Sequence, residues 1–223
     1  MSEQQTLLPN SPFPPAWKAS PTGVVLVAKY NSKPVIWLGR RSGGRRGLGT
    51  FGIVAKIPND YDFEQQKVVP YDAQPSEEAV TVLRDKTGIS GVEEMGLIPT
   101  PGFYYKFDQH TGHHGFIYAP TAQQVAAMQL NGFSEGFWFT RKQFDTLLRT
   151  TLQFEQQAEV DGNPANDPNV VTTNLFLELV EAQNSDVLVT SGYQHPVKYV
   201  FDRAFDGTVM LSELEKSAPL YQG

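Results

Sequence analysis

The sequence predicts a mixed α+β fold. Three observations carry that expectation. β-Branched apolar runs at 23–30 and 35–38 flank a short turn, one well-delimited amphipathic helix covers 76–87, and strands and helices do not alternate as a doubly wound parallel sheet requires. With 223 residues the chain suits one domain carrying an extension, and a core of that size folds without staples. The absence of cysteine excludes disulfides, thiolate metal sites and cysteine nucleophiles. A balance of 24 acidic against 18 basic residues, net -6, disfavours broad binding to nucleic acid. No apolar run approaches the roughly 20 residues of a membrane helix, and Met1 to Pro15 lacks the basic start and apolar stretch of a signal peptide. A soluble, cytoplasmic protein with no membrane partner is the expectation.

In chain order, residues 1–22 hold Pro9, Pro12, Pro14, Pro15 and Pro21 and read as an extended arm. Gly23 to Tyr30 is a strand, Asn31 to Pro34 a turn and Val35 to Leu38 a second strand, together a hairpin. Gly39 to Gly49 is a glycine-rich loop bearing Arg40, Arg41, Arg45 and Arg46, and Thr50 to Ile57 a further strand. Residues 58–74 show no period and read as an inserted loop. Ser76 to Thr87 is the clearest helix, with Ser76 as cap, Glu77 and Glu78 in the first turn and Gly88 as the left-handed stop. Strands are expected at Glu94 to Ile98, Gly102 to Phe107, Gly115 to Ala119 and Phe137 to Phe139, with helices at Ala122 to Leu130 and Lys142 to Leu152. Beyond a polar loop at 153–169 come a helix at 170–182, strands at Val187 to Val189 and Val197 to Phe201, and a last helix at 209–216. His110, His113 and His114 fall in what reads as an exposed turn.

Residues 23–150 resemble the Nudix family of nucleotide-diphosphate hydrolases. The resemblance rests on the first strand, the Ile36-Trp-Leu-Gly-Arg40 strand, the approach Gly49 to Ile57, the helix Pro75 to Ile89 ending in Thr87-Gly88-Ile89, and Glu135 to Thr140 followed by a helix. It implies a Nudix-like α/β/α sandwich with a mixed sheet over 23–152, preceded by the arm at 1–22. Residues 153–223 would then be a C-terminal extension packed on the same domain. The family's helix presents glutamates to Mg2+, which neutralises phosphate charge and activates water. Aligned on Gly88-Ile89, the family's arginine falls on Thr81, its first glutamate on Val82, and its later glutamates on Asp85 and Lys86.

The resemblance thus implies a degenerate metal site and a pseudoenzyme. Such a protein would bind a nucleotide or phosphate ligand without hydrolysing it, or serve in assembly. Arg40, Arg41, Arg45, Arg46, Lys56 and Lys86 are the candidate phosphate ligands, since guanidinium groups grip phosphate bidentately and an ammonium acts as a point charge. The alternative is a divergent Mg2+-dependent hydrolase of nucleoside-diphosphate derivatives. It would use Asp85 and Glu78 in catalysis, with metal held by Asp85, Glu77, Glu78 and Glu135, or by Asp60, Asp62 and Glu64 of the insertion. A third reading is a structural subunit of a larger complex, its protein partner or second copy docking on the extension. No cofactor is expected in the first and third readings, and Mg2+ in the second.

Overall fold

The computed structural model describes residues 22–42, 51–56, 61–62, 67–68, 74–100, 103–105, 108–150, 197, 199–202, 207 and 209–222, with backbone alone at 56, 61–62, 67–68, 103–105 and 108–114. The expectations for the arm, for Arg45 and Arg46, and for 153–189 lie outside these residues.

Strands β1 (Thr22–Tyr30) and β2 (Lys33–Arg41) form the expected hairpin, but its turn is only Asn31 and Ser32, at φ 49° and 61°. Two consecutive left-handed residues match the twist of paired strands, and asparagine tolerates that conformation. Lys33 and Pro34 therefore belong to β2. Thr22 to Ala28 are all buried, with Val25 and Val27 on one face and Val24, Leu26 and Ala28 on the other. Such a strand must lie inside a sheet covered on both sides.

The expected strand at 50–57 divides at Ile53 into β3 (Phe51–Gly52), which pairs with β2, and β4 (Val54–Lys56), which pairs with β1. This segment wedges between the two strands of the hairpin where they part. The 58–74 segment holds a small hairpin of its own, β5 (Tyr61–Asp62) and β6 (Lys67–Val68). Helix α1 (Pro75–Thr87) begins one residue earlier than expected, because Pro75 suits the first helical position. Gln74 is the cap, and the Glu77 carboxylate accepts from its backbone N–H at 3.1 Å. Ser76 instead donates to Glu94. Gly88 ends the helix at φ 69° as expected.

A 3-10 turn at Glu94–Gly96 replaces most of the strand expected there, leaving the short β7 (Ile98–Pro99). Strand β8 (Phe103–Tyr105) pairs with the long β9 (Asp108–Tyr118), so the histidines at 110, 113 and 114 lie within a strand and not in a turn. Helix α2 (Ala122–Ala126) precedes β10 (Phe133–Thr140), and α3 follows at 141–150. The sheet runs β10-β2-β1-β9-β7, with β9 parallel to β1 and the other pairs antiparallel.

The two faces of β1 divide the core. Ala79, Val82 and Leu83 of α1 cover the Val24–Leu26 face. Phe144 and Leu147 of α3, with Val197, Val200 and Phe201, cover the Val25–Val27 face. The protein is thus α+β, a mixed sheet between helical layers. Residues 199–202 are helical where a strand was expected, since Val197, Val200 and Phe201 recur at helical spacing on one buried stripe. Arg141 ties the layer together: it meets Asp145 at 2.9 Å and Asp202 at 2.6 Å and lies over the Phe201 ring. The Asp202 hydrogen bond, aided by Asp145, raises its pKa further.

The segment 209–216, expected to be helical, forms no helix, and Glu213 bridges to Lys29. Lys29 N–H donates to Ser212 at 2.8 Å and Leu214 N–H to Lys29 at 2.8 Å, so these residues pair with β1 beyond the end of β9. Further on, Trp138 N–H donates to Pro219 and Tyr221 N–H to Trp138, covering the outer edge of β10. No helix among the described residues is long and apolar enough to cross a membrane.

Gly39 and Gly136 face each other across β2 and β10, and the Trp37 indole lies over both, edge-on to Phe133 at 5.3 Å between centroids. A Cβ on Gly136 would come within 2.2 Å of that indole. Gly136→Ala is therefore expected to cost about 1–3 kcal/mol by overpacking. A urea midpoint equal to wild type would contradict the arrangement.

Candidate functional site: a cationic corner where helix α1 meets strand β2

Helix α1 ends against the loop that leads into β10. The last four carbonyls of a helix have no partner inside it. Here Gly88 N–H donates to Arg84, Asn131 Nδ2 to Asp85, Asn131 N–H to Lys86 and Gln129 N–H to Thr87, all between 2.8 and 3.1 Å. Every orphan acceptor is filled, so the loop and the helix end move as one piece.

The same loop continues to Gly132, at φ 82°, whose carbonyl accepts from Ser42 N–H at 3.0 Å. Phe133 then pairs with Arg41. The Lys86 side chain crosses Gly132 so closely that a Cβ there would sit 3.1 Å from the ammonium. Lys86 from α1 and Arg41 from β2 thus lie against adjacent residues of the chain, Gly132 and Phe133. Among the described residues neither makes an ion pair.

Arg40 is differently employed. Successive strand residues point to opposite faces, so Arg40 follows Ile36 and Leu38 onto the α3 face and Arg41 follows Val35 and Trp37 onto the α1 face. Arg40 lies in a row across three strands, between Glu135 of β10 and Phe51 of β3. Its Nε is 2.6 Å from the Glu135 carboxylate, and its guanidinium sits 4.5 Å over the Phe51 ring. Of the four arginines expected to form one grip, Arg40 and Arg41 stand on opposite faces of β2, and Arg45 and Arg46 lie outside the described residues. Of Lys56 the backbone alone is described, paired with Thr22.

Of the carboxylates expected to hold a metal, Asp60 and Glu64 lie outside the described residues and Asp62 is described by its backbone alone. Glu77 is engaged at the helix cap, Glu78 is 7% exposed, and Glu135 holds Arg40 on the other face of the sheet. Asp85 is exposed beside Arg84 at 3.4 Å. Val82, between Glu78 and Asp85, is fully buried against the sheet. Among the described residues no three His, Asp or Glu side chains lie together as metal ligands. The described residues thus offer Mg2+ no point on which the several hard oxygens it wants converge. Two features of the corner escaped the sequence reading: Gly132 as the meeting point, and Asn131 as the cap. An Asn-Gly pair shortly before an apolar strand was the available signal.

No family model and no curated protein matches the chain. Among solved structures it is similar to a MutT/nudix family protein from Enterococcus faecalis, at 13% identity and TM-score 0.42, over 61% of this chain and 47% of that one. It is similar to the Nudix hydrolase RenU from M. Smegmatis at 14% identity and TM-score 0.37, over 56% and 73% of the two chains. A third likeness is to the NUDIX domain of Shewanella oneidensis NrtR, complexed with ADP ribose, at 18% identity and TM-score 0.38, over 82% and 98%. The chain spans about half the length of the first of these, 47%.

Val82→Glu tests the helix directly. If Val82 serves only the core, the new carboxyl is buried and should cost more than about 3 kcal/mol at neutral pH. Burial raises a carboxyl pKa above the unfolded value of about 4.3. The ionisation penalty is then absent below that pH and grows as pH rises toward the folded pKa. The variant should lose less stability at pH 4 than at pH 7. Recovery of its melting temperature on adding Mg2+ would show a latent metal site instead.

Proposed function

We propose that this is a Nudix-like protein that binds a phosphate-bearing ligand, of nucleotide type, without metal-dependent hydrolysis. One observation carries the reading. Arg41 and Lys86, delivered by separate elements, share a corner and have no ion pair among the described residues, whereas Arg40, Arg84 and Arg141 are each matched with a carboxylate. Adjacent uncompensated cations repel one another, and an anion between them relieves that repulsion. The non-hydrolytic part draws support from the apolar packing of Val82 and the capping role of Glu77. Strand-by-strand sequence resemblance supports the nucleotide class.

A thermal-shift panel of nucleoside diphosphates and dinucleotides, with and without Mg2+, tests this reading. A ligand at about 100 times its Kd should stabilise the fold by roughly 2.7 kcal/mol. The expected shift is independent of Mg2+, and Arg41→Ala or Lys86→Ala should each weaken binding about tenfold, the worth of one charge-assisted contact. A shift that requires Mg2+, with product formed, would favour the hydrolase. No shift with any phosphate compound would favour a subunit role in a larger complex.

A further inference from the structure

Residues 219–222 lie along the outer edge of β10, and Tyr221 enters the aromatic group on the α3 face. Its ring stacks on Phe139 at 4.5 Å between centroids and meets Phe51 edge-on at 5.4 Å and Phe137 at 6.0 Å. The backbone on either side is anchored: Trp138 N–H donates to Pro219, Tyr221 N–H donates to Trp138, and Gln143 Nε2 donates to the Tyr221 carbonyl. Phe51 is the ring that carries Arg40, and Arg40 is the residue that joins β2 to Glu135.

That junction sits at an irregularity of register. Between Phe133 and Glu135 the pairing of β10 with β2 is bulged: Glu135 faces Arg40, Phe133 faces Arg41, and Ser134 is extra. A bulge redirects side chains, and a slip of one residue turns them to the opposite face. The Arg40–Glu135 pair pins the bulge at one point, aided by the Ser134 hydroxyl donating to the Arg40 carbonyl at 3.4 Å. The face on which Arg41 emerges depends on that pin.

We propose that Tyr221 is a positioning residue: by holding Phe51 beneath Arg40, it keeps the end of β2 in register with β10 and so fixes the place of Arg41. The consequence for ligand binding rests on the phosphate reading above; the positioning itself does not.

The test is the side-chain Nε–H resonance of Arg40 in 15N-labelled protein. In wild type the Glu135 carboxylate should shift that signal downfield and protect it from exchange. Tyr221→Ala is expected to speed exchange about tenfold, the loss of one aromatic contact and its packing, and to move the signal toward free arginine. Tyr221→Phe should leave it unchanged. Leu220→Ala is the control, because Leu220 belongs to the same segment but packs on the α1 face. It should lower the melting temperature and spare the Arg40 signal. An Arg40 signal untouched by Tyr221→Ala, or equally disturbed by Leu220→Ala, would overturn the proposal. Titration with inorganic pyrophosphate adds the second readout, with weaker binding expected in Tyr221→Ala and not in Leu220→Ala. Wild-type protein that ignores pyrophosphate would overturn the phosphate reading, and the Arg40 signal then decides the positioning role alone.

Discussion

Thr22 to Ala28 of β1 have no wet face, so every backbone polar group of this stretch must pair within the sheet and every side chain must be covered. Both demands shape the rest of the molecule. Along one side of β1, β2 and β4 share the length; along the other, β9 reaches Leu26 and residues 212–214 take over at Lys29. Residues 212–214 run alongside β1 for that reason. Their sequence would permit a helix, but a helix would leave the end of β1 with unpaired donors and acceptors. Tertiary pairing outweighs the few tenths of a kcal/mol per residue that local propensity supplies.

Covering β1 also decides what α1 can do. The helix places Ala79, Val82 and Leu83 on the sheet, and this stripe passes between the carboxylates of Glu78 and Asp85. A helix that donates one face to the core has only its margins left for chemistry. On this chain one margin is taken by the Glu77 cap, and the C-terminal end is taken by the loop at 129–132. Arg84 and Asp85 stay exposed beside each other, and Lys86 lies against Gly132. A carboxylate at the position of Val82 would therefore have to displace apolar packing against the sheet.

Local signals were readable. The β1–β2 hairpin, α1 and its Gly88 stop, and the strand at Phe137 to Phe139 all announce themselves by period and by turn residues, and each is present. Strand ends were less readable. Reading Gly39 onward as a loop treated the arginines as one group, although alternation through Val35, Ile36, Trp37 and Leu38 already assigns Arg40 and Arg41 to opposite faces. The pairing that keeps Gly39 and Arg40 in a strand comes from β10 and β3, remote in sequence, and no local pattern reports it. The same holds for Val197 to Phe201, where three apolar residues suit either a short strand or a helical stripe and only the packing against Phe144 selects between them.

The overall charge of -6 has little bearing on the corner. Charges are screened over roughly 8 Å at physiological ionic strength, so the potential felt by a ligand is set by the few groups beside it. Arg41 and Lys86 stand on the α1 face, while the carboxylate nearest in strand register, Glu135, is turned to the other face and occupied by Arg40. The pleat of β2 therefore does two things at once. It turns Arg40 to the α3 face with Glu135 beside it, and it leaves Arg41 on the α1 face. Gly132 completes the arrangement, because any side chain there would meet the Lys86 ammonium in a backbone conformation that disfavours side chains altogether.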